Sequence, residues 1–171
     1  NSAMAGGAGT AAGASYEFGD GFAVAVGYTG AGSSTAGLMT KEGADTYGGQ
    51  LSYTADSYGA SITYAAVEGA DSTNDDRNYY GLNGYWTPSE TGFVPSISVG
   101  YEVGEAQGKS DTTQWFVGLQ WDEAGPGTFG TAVGTIGASV DDVYDPEFLM
   151  YEAFYSYEIN DGMTVTPLIY T

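Results

Sequence analysis

Ala14-Ser-Tyr-Glu-Phe-Gly-Asp-Gly-Phe-Ala-Val-Ala-Val-Gly-Tyr28 is the stretch that decides the fold. Its first half alternates Ala14, Tyr16 and Phe18 with Ser15 and Glu17, and its second alternates Phe22, Val24, Val26 and Tyr28 with Ala23, Ala25 and Gly27. A period of two places the rings and branched side chains of each half on one face of an extended strand. Asp20-Gly21 stands between the halves, a pair suited to a tight hairpin because both central residues tolerate positive φ. The stretch therefore reads as a hairpin with one apolar face and one small or polar face.

The same unit recurs along the chain. Tyr47, Leu51 and Tyr53 alternate with Gly48, Gln50 and Ser52, then turn at Asp56-Ser57 into Tyr58, Ala60, Ile62 and Tyr64. Strands five (78–87) and six (93–103) are joined by 88–92; strand six alternates Ile97, Val99, Tyr101 and Val103 with Ser96, Ser98, Gly100 and Glu102. In strand seven Trp115, Val117, Leu119 and Trp121 oppose Gln114, Phe116, Gly118 and Gln120. A turn at 123–127 leads to strand eight, 128–138, whose period is blurred by Gly and Thr. Strand nine carries Leu149, Tyr151, Tyr155 and Tyr157 against Met150, Glu152, Phe154 and Glu158. Asn160-Asp161-Gly162 then turns into a tenth strand with Met163, Val165, Pro167 and Ile169 on one side. Tight turns return about every 35 residues, and a longer polar connection (29–44, 67–77, 104–112, 139–147) separates each hairpin from the next, the pattern of a hairpin repeat. Strands of about 9 to 11 residues, with short turns at one end and long loops at the other, match a tilted membrane-spanning strand and an outer-membrane barrel.

Composition narrows the function classes. The 171 residues carry 22 Asp plus Glu against 3 Lys plus Arg, a net charge of −19 with no histidine, so no basic footprint for nucleic acid exists. The 15 Tyr, 7 Phe and 3 Trp are too many for a disordered acidic chain. Cysteine is absent, which removes disulfides and thiolate metal sites. No apolar run has the length of a membrane helix, and Asn1 to Met4 lacks the basic start of a secretory signal. The chain is expected to be a single domain, 1–171, belonging to an all-β, antiparallel up-and-down transmembrane β-barrel. About ten strands are present, read as part of a larger barrel and incomplete at both ends; a rival is that ten strands close on themselves.

An apolar face present in every strand needs a second sheet or lipid to cover it. The aromatic residues Tyr47, Tyr53, Tyr58, Tyr64, Tyr101, Trp115, Trp121 and Tyr157, most of them toward strand ends, favour lipid, because an amphipathic ring suits the interface of a bilayer. Glu17, Gln50, Glu102, Gln114, Gln120, Glu152 and Glu158 alternate with the apolar set and are expected to line a wet lumen.

Tyr79-Tyr-Gly-Leu-Asn-Gly-Tyr-Trp-Thr-Pro88, Gly92-Phe-Val-Pro-Ser-Ile-Ser-Val-Gly-Tyr101, Thr113-Gln-Trp-Phe-Val-Gly-Leu-Gln-Trp121 and Tyr155-Ser-Tyr-Glu-Ile-Asn-Asp-Gly-Met-Thr-Val-Thr-Pro167 carry a resemblance to a family. From about residue 18 onward the chain resembles the outer-membrane porins of cyanobacteria, in the carbohydrate-selective porin superfamily that includes iron-uptake porins. The resemblance implies a larger barrel, commonly a homotrimer in the outer membrane, preceded by a periplasmic wall-anchoring domain that this sequence lacks.

Catalysis is not expected: no His or Cys is available to activate a nucleophile, and no cofactor motif occurs. Asp71 to Asp76 superficially suggests a calcium loop, but Asp76 occupies the glycine place and Leu82 the place of the bidentate Glu, so no metal site is assigned. Glu68, Asp71, Asp75 and Asp76, and Asp141, Asp142, Asp145 and Glu147, make two acidic extracellular loops. Together with the lumen acids they should concentrate cations within a Debye length of about 8 Å. The expected function is a passive diffusion channel for small hydrophilic solutes and inorganic cations, with outer-membrane lipid as partner. The long loops could also serve phage or cell attachment. The alternative is a secreted or surface-exposed acidic β-repeat protein with a structural or adhesive role and no channel.

Overall fold

The computed structural model describes residues 11–30, 45–69, 76–90, 92–136 and 148–171. Every regular element among them is a strand: β1 Ala11–Phe18, β2 Phe22–Thr29, β3 Thr46–Thr54, β4 Tyr58–Val67, β5 Arg77–Trp86, β6 Ser96–Ala106, β7 Thr112–Ala124, β8 Gly127–Ile136, β9 Phe148–Asn160, β10 Met163–Val165 and β11 Leu168–Tyr170. They form one antiparallel up-and-down sheet in chain order from β1 to β10, with β11 also paired to β9. Within the described residues the sheet is open. No pairing joins β1 to β10 or β11, so these strands do not close on themselves.

Register makes the sheet two-faced. Tyr16 stands opposite Val24, and the same row continues through Leu51, Ile62, Leu82 and Tyr101 to Trp115. The adjacent row runs from Glu17 through Ala23, Ser52, Ser61, Asn83 and Gly100 to Phe116. Directly opposed residues share a face, so the alternation in each strand adds up to one apolar and one largely polar surface. Among the described residues no second layer covers either. The only buried hydrophobic residue among those described is Ala66, 5% exposed, and no large side chain is fully buried.

The hairpin at Asp20-Gly21 takes the expected form. Both residues have positive φ, 53° and 86°, and Phe22 N–H donates to Gly19 O at 3.2 Å. This backbone twist matches that of the flanking strands. Ala55 N–H donates to Tyr58 O at 2.8 Å across Asp56-Ser57, Gly125 turns β7 into β8 at φ 70°, and the Asn160 side chain accepts from Gly162 N–H at 3.0 Å.

Several boundaries differ from the sequence reading. β6 starts at Ser96, not at 93, because Pro95 has no N–H for the ladder and Phe93 and Val94 lie in the connection. β6 and β7 extend to Ala106 and Thr112, so the supposed long loop 104–112 shrinks to 107–111, closed by Lys109 N–H on Ala106 O at 3.2 Å. The contrast between long loops and short turns is therefore reversed at one hairpin, since 87–95 at the short-turn end is longer than 107–111. β1 begins at Ala11, the small residues of the opening being compatible with pairing to β2. The tenth strand is broken into β10 and β11 at Pro167, whose carbonyl accepts from Tyr155 N–H at 3.1 Å but which has no N–H to return.

A Cβ on Gly21 would collide with the Thr54 carbonyl oxygen, whereas one on Gly19 meets nothing within 4 Å. Gly21→Ala is expected to lower stability by roughly 1 to 2 kcal/mol from the left-handed backbone alone, read as a lower denaturation midpoint. Gly19→Ala is expected to leave that midpoint in place.

Candidate functional site

The apolar face carries rings at two levels. Phe22 and Tyr28, Tyr47 and Tyr53, Tyr58 and Tyr64, Tyr80 and Trp86, Trp115 and Trp121, and Tyr151 and Tyr157 are each six residues apart on one strand. Six residues of strand rise about 20 Å. Register sets them in two oblique lines that step two residues along the ladder from pair to pair: Phe22–Tyr53, Tyr58–Trp86 and Trp121–Phe129 near the short turns, and Tyr28–Tyr47, Tyr64–Tyr80 and Tyr101–Trp115 near the opposite sheet end. Near the short turns the rings form a continuous ribbon: Tyr16 to Phe18 at 6.3 Å, Phe18 to Phe22 at 5.9 Å, Phe22 to Tyr53 at 4.8 Å and Tyr53 to Tyr58 at 5.9 Å between centroids. Farther along the sheet Trp121 and Phe129 make a separate pair at 5.7 Å, and at the other end Tyr64 and Tyr80 lie 5.3 Å apart. The rows enclose Val24, Val26, Leu51, Ile62, Leu82 and Leu119, with no charged residue between them among the described strands.

All eight aromatic residues singled out in the sequence fall on this face. Tyr53, Tyr58, Trp121 and Tyr157 belong to the short-turn row, and Tyr47, Tyr64, Tyr101 and Trp115 to the other. Phe22, Tyr28, Tyr80, Trp86, Tyr151 and Phe129 complete the rows and were not singled out; for the first five the six-residue recurrence was the available signal. Polar ring tips find partners. Tyr64 OH donates to Asn78 Oδ1 at 2.7 Å, Trp121 Nε1–H to Phe93 O at 3.0 Å and Tyr155 OH to Ala124 O at 3.0 Å. Each ring thereby keeps an apolar body outward while its polar tip is satisfied near a strand end.

The opposite face holds Glu17, Gln50, Glu102, Gln114, Gln120, Glu152 and Glu158 together. Gln50, Thr63, Gly81, Glu102 and Gln114 form one cross-strand row. Glu152 lies in the row of Tyr85, Ser98, Gly118 and Ala132, Glu17 in that of Ser52 and Ser61, and Glu158 opposite Thr164. Gln120 Nε2 donates to Asp122 Oδ1 at 2.7 Å. Rings on this face lie down on neighbouring glycines: Tyr85 over Gly59, Phe116 over Gly100 and Phe154 over Gly130, where any Cβ would strike the ring. A depression of about 340 Å³ opens over β5 to β9, lined among others by Tyr85, Ser98, Gln120, Asp122, Glu152 and Phe154.

Of the acidic loop residues, Glu68 and Asp76 are described; Asp71, Asp75, Asp141, Asp142, Asp145 and Glu147 lie outside the described residues. Glu68 N–H donates to Asp45 O at 2.8 Å, and Asp76 Oδ1 accepts from Gly69 N–H at 2.9 Å. Asp76 thus closes the neck of the β4–β5 connection as well as charging it. Among the described residues no group of three or more acidic side chains is arranged to hold a metal ion.

No family model, no curated protein and no solved structure matches the chain.

Trp121→Phe keeps the ring but removes the bond to Phe93 O, a neutral hydrogen bond worth about 1 kcal/mol. The expected outcome is faster proteolytic cleavage within 87–95, with the remaining strands still protected.

Proposed function

We propose that this sheet is a sector of an outer-membrane β-barrel porin, with the apolar face against lipid and the polar face lining a water-filled, cation-favouring channel. The observation that carries the reading is the separation of charge between the faces: two lines of rings bracket an uncharged apolar band on one side, and every acidic or amide side chain assigned to a lumen lies on the other. Such a face in water would be costly, whereas interfacial rings flanking an apolar band are what a bilayer selects.

Closure follows from the same environment, because an unpaired backbone group in hydrocarbon costs several kcal/mol. Thr171 and Tyr151 exchange both backbone bonds at 3.0 Å, and Pro167 O faces Tyr155 N–H. Antiparallel alternation then turns the N–H and C=O of Thr166, Leu168 and Tyr170 away from β9, toward a further strand. β1 presents a second such edge. In the barrel both edges are paired.

Conduction needs no chemical step. Glu17, Glu102, Glu152 and Glu158 project negative charge into the lumen, where low-dielectric walls focus the field and raise the local concentration of cations. Small hydrophilic solutes diffuse past on the Ser, Thr, Gln and Asn side chains of the same face.

The decisive measurement is planar-bilayer conductance across a KCl gradient, with a reversal potential on the cation side as the expected result and a chloride preference as the result that overturns the selectivity. Glu102→Gln with Glu152→Gln should move the reversal potential toward zero without abolishing conductance. Ile62→Arg, near the middle of the apolar band, is expected to cost about 2 to 4 kcal/mol and block insertion into lipid vesicles, while Thr63→Arg, one residue along and facing the channel, inserts normally. A protein that stays soluble without detergent and ignores vesicles would instead support a secreted β-repeat protein.

A further inference from the structure

The polar face contains one place where shape, charge and an aromatic surface meet. Along β9, Glu152 and Phe154 share this face, about 6.6 Å apart by strand rise. Phe154 does not stand up from the sheet. It lies across Gly130 on β8, which fits because a Cβ there would run into its ring carbons. One face of the ring is thus against backbone and the other is turned to the opening. Gly118 and Ser98, small residues in the row of Glu152, form the floor, and Tyr85 stands at the far wall. The resulting depression of about 340 Å³ is within the size range of small-ligand sites. The residues lining it include the carboxylates Asp122 and Glu152 and no Lys or Arg.

We propose that this depression binds an organic ammonium ion, its positive head between the Glu152 carboxylate and the exposed face of Phe154 and its apolar body over the small-residue floor. The proposal rests on the reading of this face as a channel wall, and it names a class of solute that the wall would retain. The chemistry favours an alkylated ammonium over a metal ion for two reasons. A divalent cation needs several oxygen ligands in one sphere, whereas Glu152 stands beside a ring and Asp122 is already engaged by Gln120 at 2.7 Å. Aromatic faces instead attract large cations, and quaternary ammonium groups are recognised in this way. An anion is repelled by both carboxylates, and a neutral hydroxylated solute can donate hydrogen bonds to them but gains neither net charge attraction nor a cation–π contact with the ring.

The test is calorimetric titration of the detergent-purified protein with choline chloride, alongside MgCl2. Choline is expected to bind, with the half-saturating concentration rising roughly fivefold in Phe154→Leu, which keeps apolar volume but removes the ring quadrupole, and at least as much in Glu152→Gln. Phe154→Tyr and Glu152→Asp should bind like the parent protein, separating recognition from misfolding. Unchanged choline binding in Phe154→Leu overturns the proposal, as does displacement of choline by equimolar Mg2+. A protein that conducts in planar bilayers but takes up no choline overturns the site and leaves the channel. One that binds choline with this variant pattern but never conducts overturns the channel and keeps the site.

Discussion

A single layer of strands has no inside. Every apolar residue on its outer face stays exposed unless something other than the protein covers it, and this constraint governs the rest of the structure. Val24, Val26, Ile62, Leu82 and Val99 are all between 37% and 57% exposed, and no large side chain among those described is fully buried. Fully burying one such side chain is worth about 1.5 to 3 kcal/mol, so a handful of them left in water would match the whole stability of a typical domain, about 5 to 15 kcal/mol. The backbone ladder holds the strands in register, but it cannot by itself offset that exposure. The proposed lipid contact supplies the missing cover, and the rings at both ends of the band mark where the cover would stop.

The polar face answers a different demand. As the wall of the proposed channel it would have to stay wet yet remain closely packed enough to hold the strands side by side. Glycine opposite a ring does both: Phe116 on Gly100, Phe154 on Gly130 and Tyr85 on Gly59 cover backbone that would otherwise be bare, and they lie low enough to leave space above them. The glycines that blur the strand period in the sequence are therefore sites of packing. Glutamate and glutamine occupy positions between these joints, on the same face as the rings, and Gln120 is tied there to Asp122. The depression near Glu152 and Phe154 arises where the joint at Gly130 adjoins the small residues of β6 to β8.

Much of the fold was legible because a period of two is a local property. The alternation in Phe22 to Tyr28 or Trp115 to Trp121 needs no knowledge of the rest of the chain, and it assigned all eight singled-out rings and all seven lumen candidates to opposite faces. Turn chemistry was equally local at Asp20-Gly21, Asp56-Ser57 and Asn160-Asp161-Gly162. Boundaries were less so. Pro95 and Pro167 interrupt ladders that hydrophobic alternation alone would continue, and residues 104–106 stay in β6 because β5 offers partners to all three and β7 to Gly104.

The sequence by itself determined the class of structure, the two faces and the acidic character of one of them, since side-chain alternation and charge are written residue by residue. Only the tertiary structure decided which residues stand opposite one another: that the rings six apart on separate strands join into rows, that Phe154 lies on Gly130, that Asp76 ties down a loop neck, and that the described strands leave two edges open. Those facts depend on register and pairing partner, which are set by cooperation among strands distant in the chain, and no local pattern encodes them.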